Sequence, residues 1–180
     1  MSVPADEFGR IFDPRKVVAR GQQNVPDVAD AKEGWRAWWC QRELPRFGVA
    51  PKLRSATYQG YYWAARRSAR AECNHGCDRH EIPGETCTCG FYSAKSFEHL
   101  MALGYAEYDP DGDHVTIVGR VACWGKVIEG TQGWRSSFAY PRELFVPFEA
   151  AHLAKPLREV YGARVSLMNY IQQPIAEESR

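Results

Sequence analysis

Cys73, Cys77, His80, Cys87 and Cys89 fall within 17 consecutive residues, on a stretch also carrying Pro83, Gly84 and Gly90. Thiolates and imidazoles this close together are the donors that close around Zn²⁺, and a structural zinc site takes four of them in a tetrahedron. Two sets compete. Cys73-x₆-His80-x₆-Cys87-x-Cys89 supplies three thiolates and an imidazole, whereas Cys73-x₃-Cys77-x₉-Cys87-x-Cys89 supplies four thiolates. The plainer alternative is a group of free buried thiols, but thiols on a turn-rich stretch have little other reason to converge. A bound ion of this kind contributes on the order of 10–16 kcal/mol, as much as the whole net stability of a domain. Cys40 and Cys123 stand apart from the cluster.

Catalytic metal chemistry has less to draw on. His80 is followed directly by Glu81, and the later pair is Cys-x-Cys, so the deaminase pattern His-x-Glu…Pro-Cys-x-x-Cys is absent. No His-Glu-x-x-His, phosphate-binding loop, nucleophile elbow or dinucleotide fingerprint occurs. Glu81 and Glu85 lie close enough in sequence to act as bases beside an open metal position, which would make a zinc-dependent hydrolase. Solvated turn carboxylates explain them equally, and no catalytic residue is assigned.

A second constellation is basic and aromatic. Lys52, Arg54, Arg66, Arg67 and Arg70 occur without an intervening acid and are interleaved with Tyr58, Tyr61, Tyr62 and Trp63. Phosphate contacts beside stacking rings would suit a nucleic acid. The structural account is a half-buried strand pair with solvated arginines, and a formal net charge of +1 provides no wider basic footprint. Five acids and no base follow between residues 98 and 113. Asp109, Asp111 and Asp113 start like a calcium loop, but Gly112 comes too early and the closing Glu is missing.

The elements that must position these groups belong to a chain of 180 residues with 44% hydrophobic and 25% charged residues, ordinary for one globular domain. Residues 1–33 show weak periodicity and read as an arm with a short helix after Pro14. Residues 34–171 form the single domain, and 172–180 a polar tail. Aromatic-rich 35–40 predicts the first core strand, with further strands at 53–58 and 61–63; the state of 64–70 stays open. Ser93 predicts an N-cap for a helix to about Leu103, stopped by Gly104. Residues 109–113 read as a turn. The strongest strand pattern runs from Val115 to Ile128, turns at 130–133, and returns over 134–140. Gly125 within it marks a bulge or a close backbone approach. Glu129 and Arg135 are placed to pair across that hairpin. A helix over 149–161 restarts at Pro156 and stops at Gly162, before a last strand at 164–168. The expected fold is α+β: a twisted, mostly antiparallel sheet with a few helices and a zinc-stapled Cys/His segment.

No run of apolar residues is long enough to span a bilayer, and the amino terminus lacks the pattern of an export signal. The cysteines are even in number, yet Cys87 and Cys89 are too close for an easy disulfide. A metal held in a reducing cytoplasm is therefore the expectation.

The motifs together resemble a set of small uncharacterised proteins of actinobacteria and their phages. The shared features begin with Gly34-Trp35-Arg36-Ala37-Trp38. They continue through Cys73, His80-Glu81-Ile82-Pro83 and Cys87-Thr88-Cys89-Gly90-Phe91-Tyr92. They close with Val118, Val121, Trp124, Gly125, Val127 and Glu129 in sequence, then Gly133-Trp134-Arg135 and Ala139-Tyr140-Pro141. The resemblance covers residues 34–146. It implies Cys73, His80, Cys87 and Cys89 as the ligand set, with Cys77 an additional thiol, and it implies no activity. A zinc-stabilised, non-enzymatic binding module is the expected class. A protein is the expected partner, a host protein if the phage resemblance holds, and the basic segment 52–70 makes a nucleic acid the alternative.

Overall fold

The computed structural model describes residues 31–43, 50–56, 60–73, 80–104 and 112–168. The helix expected after Pro14, Tyr58, most of the 109–113 turn and the polar tail lie outside those residues.

Among the described residues seven strands form one sheet: β1 (Lys32–Gln41), β2 (Arg54–Ser55), β3 (Ala69–Arg70), β4 (Phe91–Ala94), β5 (His114–Glu129), β6 (Gly133–Val146) and β7 (Arg164–Leu167). Among the same residues two α-helices, α1 (Phe97–Ala102) and α2 (Ala154–Tyr161), and a 3₁₀ helix at Phe148–Leu153 complete a sheet-dominated α+β fold. Every strand pairing is antiparallel except that of β7 with β6, which is parallel. That exception follows from the connection, because the 3₁₀ helix and α2 carry the chain back before β7 begins.

The long pairings β1–β5 and β5–β6 make the body of the sheet. Strand β4 then pairs with β6 along its length and touches β1 at Trp35↔Ala94. The four pairings close a ring. Alternation along β1 sorts its side chains between two apolar clusters. Trp38 and Cys40 pack in the larger one with Ile117, Cys123 and Leu144, beneath Leu153 and Leu157. Ala37 and Trp39 belong to the smaller one with Val118 and Leu100, joined by half-buried Trp35 and Phe97.

The same alternation puts Arg36 on the inner side with Trp38. Only 5% exposed, its guanidinium donates to the Tyr92 carbonyl and to Ser55 Oγ (3.2 Å). It also lies over the Trp63 and Phe91 rings, 5.3 and 5.9 Å from their centroids. Arg36 thus ties β1 to both β2 and β4.

Two tyrosine hydroxyls link α2 to the chain before β3. Tyr161 Oη accepts from the Leu53 amide (2.8 Å) and donates to the Trp63 carbonyl (3.0 Å). Tyr140 Oη accepts from the Arg66 amide (2.8 Å) and donates to the Tyr161 carbonyl (2.7 Å). Burial pushes the Tyr140 phenol up to about 12 and Tyr161 higher still, so both stay neutral. Tyr161→Phe leaves a buried amide and a buried carbonyl without that partner. A loss of about 2–3 kcal/mol in unfolding free energy is expected from urea denaturation, and a loss under about 0.5 kcal/mol would refute the bridging role.

Four sequence expectations need correction or sharpening. Ser93 does not cap a helix: residues 91–94 pair with β6, and Ser96 is the N-cap, its Oγ accepting from the His99 amide. Sheet pairing on both sides of β4 outweighs the local capping preference. Residues 53–58 yield only the two-residue β2, and Tyr62 makes a single bridge to Arg54. Strand β6 continues past Tyr140 through Pro141 to Val146. Pro141 is accommodated because the register shifts opposite it, between Arg120 and Val121. Helix α2 begins at Ala154, which places Pro156 in the first turn, where a missing N–H costs nothing. Gly125 meets its expectation. Its φ of +77° sits in the register shift between Trp124 and Val127, a bulge that favours glycine.

Candidate metal centre

Strand β3 ends at Arg70, and the chain reaches Cys73 after Ala71 donates its amide to the Ser137 carbonyl on β6 (2.8 Å). His80, Cys87 and Cys89 come from the turn-rich segment that leads into β4. The ligand atoms of Cys73, His80, Cys87 and Cys89 all lie within 4.8 Å of one another, close enough to hold a metal ion. Cys73 Sγ is 3.6 Å from Cys87 Sγ, and His80 Nε2 is 3.2 Å from Cys89 Sγ. A disulfide needs sulfurs about 2.05 Å apart, so Cys73 and Cys87 are not bonded. Cys77 lies outside the described residues.

The backbone serves the cluster. Gly84 donates its amide to Cys89 Sγ (3.3 Å), and its Cα lies so near the His80 ring that an added Cβ would meet Cδ2 at 2.5 Å. The Cys89 amide pulls the Cys87 thiol down, but burial and the neighbouring Cys73 and Cys89 thiols outweigh it and leave Cys87 raised. A cation reverses this balance, because it favours the thiolates that otherwise repel one another. Cys40 and Cys123 answer to a different environment. Burial raises both, Cys40 to about 12, and keeps them as protonated core side chains.

Arg135 on β6 is the functional residue that the sequence reading misplaced. Its cross-strand neighbour is Ile128, and Glu129 pairs instead with Lys95 Nζ at 2.6 Å. The guanidinium of Arg135 turns the other way and donates to the carbonyls of Cys87, Cys89 (3.3 Å) and Gly84 (3.0 Å). Three carbonyls of the ligand-bearing turn therefore share one rigid cation. Gly90, at φ +119°, is required there: a Cβ would sit 2.8 Å from Arg135 Cγ. Nothing in the spacing of Arg135 signalled this contact, since it joins residues 46 to 51 apart in sequence.

Other candidates disperse. Glu81 is exposed and lies 3.6 Å from Lys126 Nζ, and Glu85 is exposed. Of the basic segment, Lys52 and Arg54 share a cleft with Trp39 and Tyr62. Arg66 is used by the fold, donating to the Glu159 carbonyl near the end of α2 (2.9 Å). Arg67 and Arg70 are exposed, and Arg70 sits on β3 opposite Phe138. Trp38, Trp39 and Trp63 are core; Trp35 and Trp134 are half-buried and line a cleft of about 390 Å³ between α1 and the β5–β6 turn. Among the described residues no helix is long and apolar enough to cross a membrane. Comparisons with protein families, curated proteins and solved structures gave no match.

Proposed function

We propose that this chain is a zinc-stapled, non-enzymatic binding module that docks a partner protein in the cleft between α1 and the β5–β6 turn. Zinc is the ion that suits three thiolates and one imidazole. A tetrahedron with metal–sulfur bonds of about 2.3 Å has sulfur–sulfur edges of about 3.8 Å, and the 3.6 Å separation of Cys73 and Cys87 Sγ supports it. Four protein ligands leave no position for a reacting water, which favours a structural ion over a hydrolytic one.

The cleft carries the reading. Trp35, Trp134, Leu100, Leu103 and Tyr92 line it, and among the described residues no acid does. Tyr92 and Leu103, large apolar side chains, are 45% and 55% exposed. An exposed ring and an exposed leucine at the rim of an apolar hollow are what an anchor residue of another protein fills. Arg135 both lines this hollow and holds the metal turn, so the ion fixes one of its walls. The resemblance to phage-borne proteins points to a host protein as the partner. The uneven use of the basic segment favours this over the nucleic-acid reading.

The test is capture of a partner from host lysate by the full chain and by Leu103→Asp in parallel, with zinc content and circular dichroism as controls. Leu103 is exposed, so the fold should tolerate the change. An identified partner whose affinity falls about 30-fold or more in the variant supports the proposal. Capture unaffected by the substitution, or none above background, overturns it.

A further inference from the structure

A second cleft, of about 380 Å³, lies on the sheet across β2, β1 and the start of β5. Strand register brings its residues to one face. Arg54 is opposite Trp39, Gln41 is opposite His114, and Tyr62 bridges to Arg54 from the far side. Directly paired residues point to the same face, as do residues two apart, so Lys52 joins Arg54 and Gln41 joins Trp39. The Arg54 guanidinium lies 5.0 Å from the Trp39 ring centroid, and Tyr62 is 56% exposed at the rim.

Among the described residues lining it, Lys52 and Arg54 are cationic, His114 offers an imidazole, and none is acidic. Elsewhere the fold uses its arginines: Arg120 pairs with Glu33 (2.7 Å), Arg66 with the Glu159 carbonyl, and Arg135 with the metal turn. In this cleft Arg54 Nε and His114 Nδ1 are shielded from water and form no hydrogen bond among the described residues. Converging positive groups without a counter-charge form a site for an anion with several acceptor oxygens. The exposed phenol ring adds a flat surface next to it, suited to stacking on a planar base.

We propose that this cleft binds a nucleotide phosphate, with Lys52, Arg54 and His114 towards the phosphate and Tyr62 against the base. The inference is independent of the docking cleft, which lies at the α1 side and shares no lining residue with it. A free nucleotide and a single strand both carry this phosphate, and the same experiment separates the two.

The full, zinc-loaded chain is titrated with adenosine monophosphate, adenosine, inorganic phosphate and a short single-stranded oligonucleotide, followed by nuclear magnetic resonance of the Trp39 and His114 side chains. Saturable adenosine monophosphate binding is expected, with adenosine about tenfold weaker or more once the charge-assisted contacts are missing. Lys52→Ala should weaken adenosine monophosphate by about the same factor and adenosine little, whereas Tyr62→Ala weakens both. Both side chains are exposed, so neither change threatens the fold. An oligonucleotide that binds more tightly than the mononucleotide, and loses affinity steeply with salt, assigns the site to a strand; equal affinity assigns it to a free nucleotide. No saturable response to any phosphate-bearing probe at millimolar concentration overturns the proposal, as does binding indifferent to both substitutions.

Discussion

Cys89→Ser is expected to release the metal and lower the melting temperature by about 10–20 °C, the size of a loss near 5 kcal/mol in a chain of this length. Cys89 is the right ligand to remove because it is the buried one of the four, in contact with both His80 Nε2 and the Gly84 amide. Serine nearly preserves its shape, so the effect reports the ion and not a packing defect. The same loss should follow treatment of the unsubstituted chain with a strong chelator. Acid should act in the same direction: three thiols and an imidazole must be deprotonated to bind, and Cys87 is already raised without a cation. Affinity therefore falls as pH is lowered through the range where these groups gain protons. Metal analysis alongside calorimetry checks all three. A preparation without metal whose melt is unaffected by chelator, and a Cys89→Ser chain that melts with it, would remove the metal centre from the account.

The parts of this molecule that could be read directly from its residues are those governed by local patterns. Aromatic and β-branched side chains made β1 and β5 recognisable, glycine at position 125 pointed to its bulge, and the close spacing of Cys73, His80, Cys87 and Cys89 pointed to their meeting. Even the inward position of Arg36 follows from the two-residue period that buries Trp38. What escaped the sequence depends on partners far along the chain. Ser93 looked like a helix cap because local propensity is blind to Trp134, which lies opposite it in the sheet. Arg135 looked like a hairpin partner of Glu129 for the same reason: proximity in sequence hid the carbonyls of Gly84, Cys87 and Cys89. The clefts were out of reach altogether, since each is assembled from at least three separate segments. Composition flagged Lys52 and Arg54 together with Arg66, and only the fold divides them.

Arg135→Ala should weaken metal binding by about 10–100-fold while leaving all four ligands in place, the usual cost of removing a group that orients a metal's ligands from the next shell out. The reasoning starts from the turn itself. Residues 80–90 form no strand until β4 begins at Phe91, so beyond the Cys87 amide that donates to the Gly84 carbonyl (3.3 Å) the turn's carbonyls draw on side chains for hydrogen bonds. One planar guanidinium serves three of them, two on the ligand residues themselves. Without it the turn keeps the Ser137 Oγ contact to the Ile82 carbonyl, the Tyr92 Oη contact to the Thr88 carbonyl and its own Cys87–Gly84 bond, and part of the ion's binding energy goes into ordering chain that Arg135 now holds in place. Arg135→Lys separates geometry from charge: a lysine keeps the cation but cannot reach several carbonyls in a fixed fork, so it should restore little of the affinity. Competition with a chromogenic chelator measures both variants against the parent chain. Affinity unchanged in Arg135→Ala would show that the metal turn holds its own shape, and the link from ion to docking cleft through this residue would have to be abandoned.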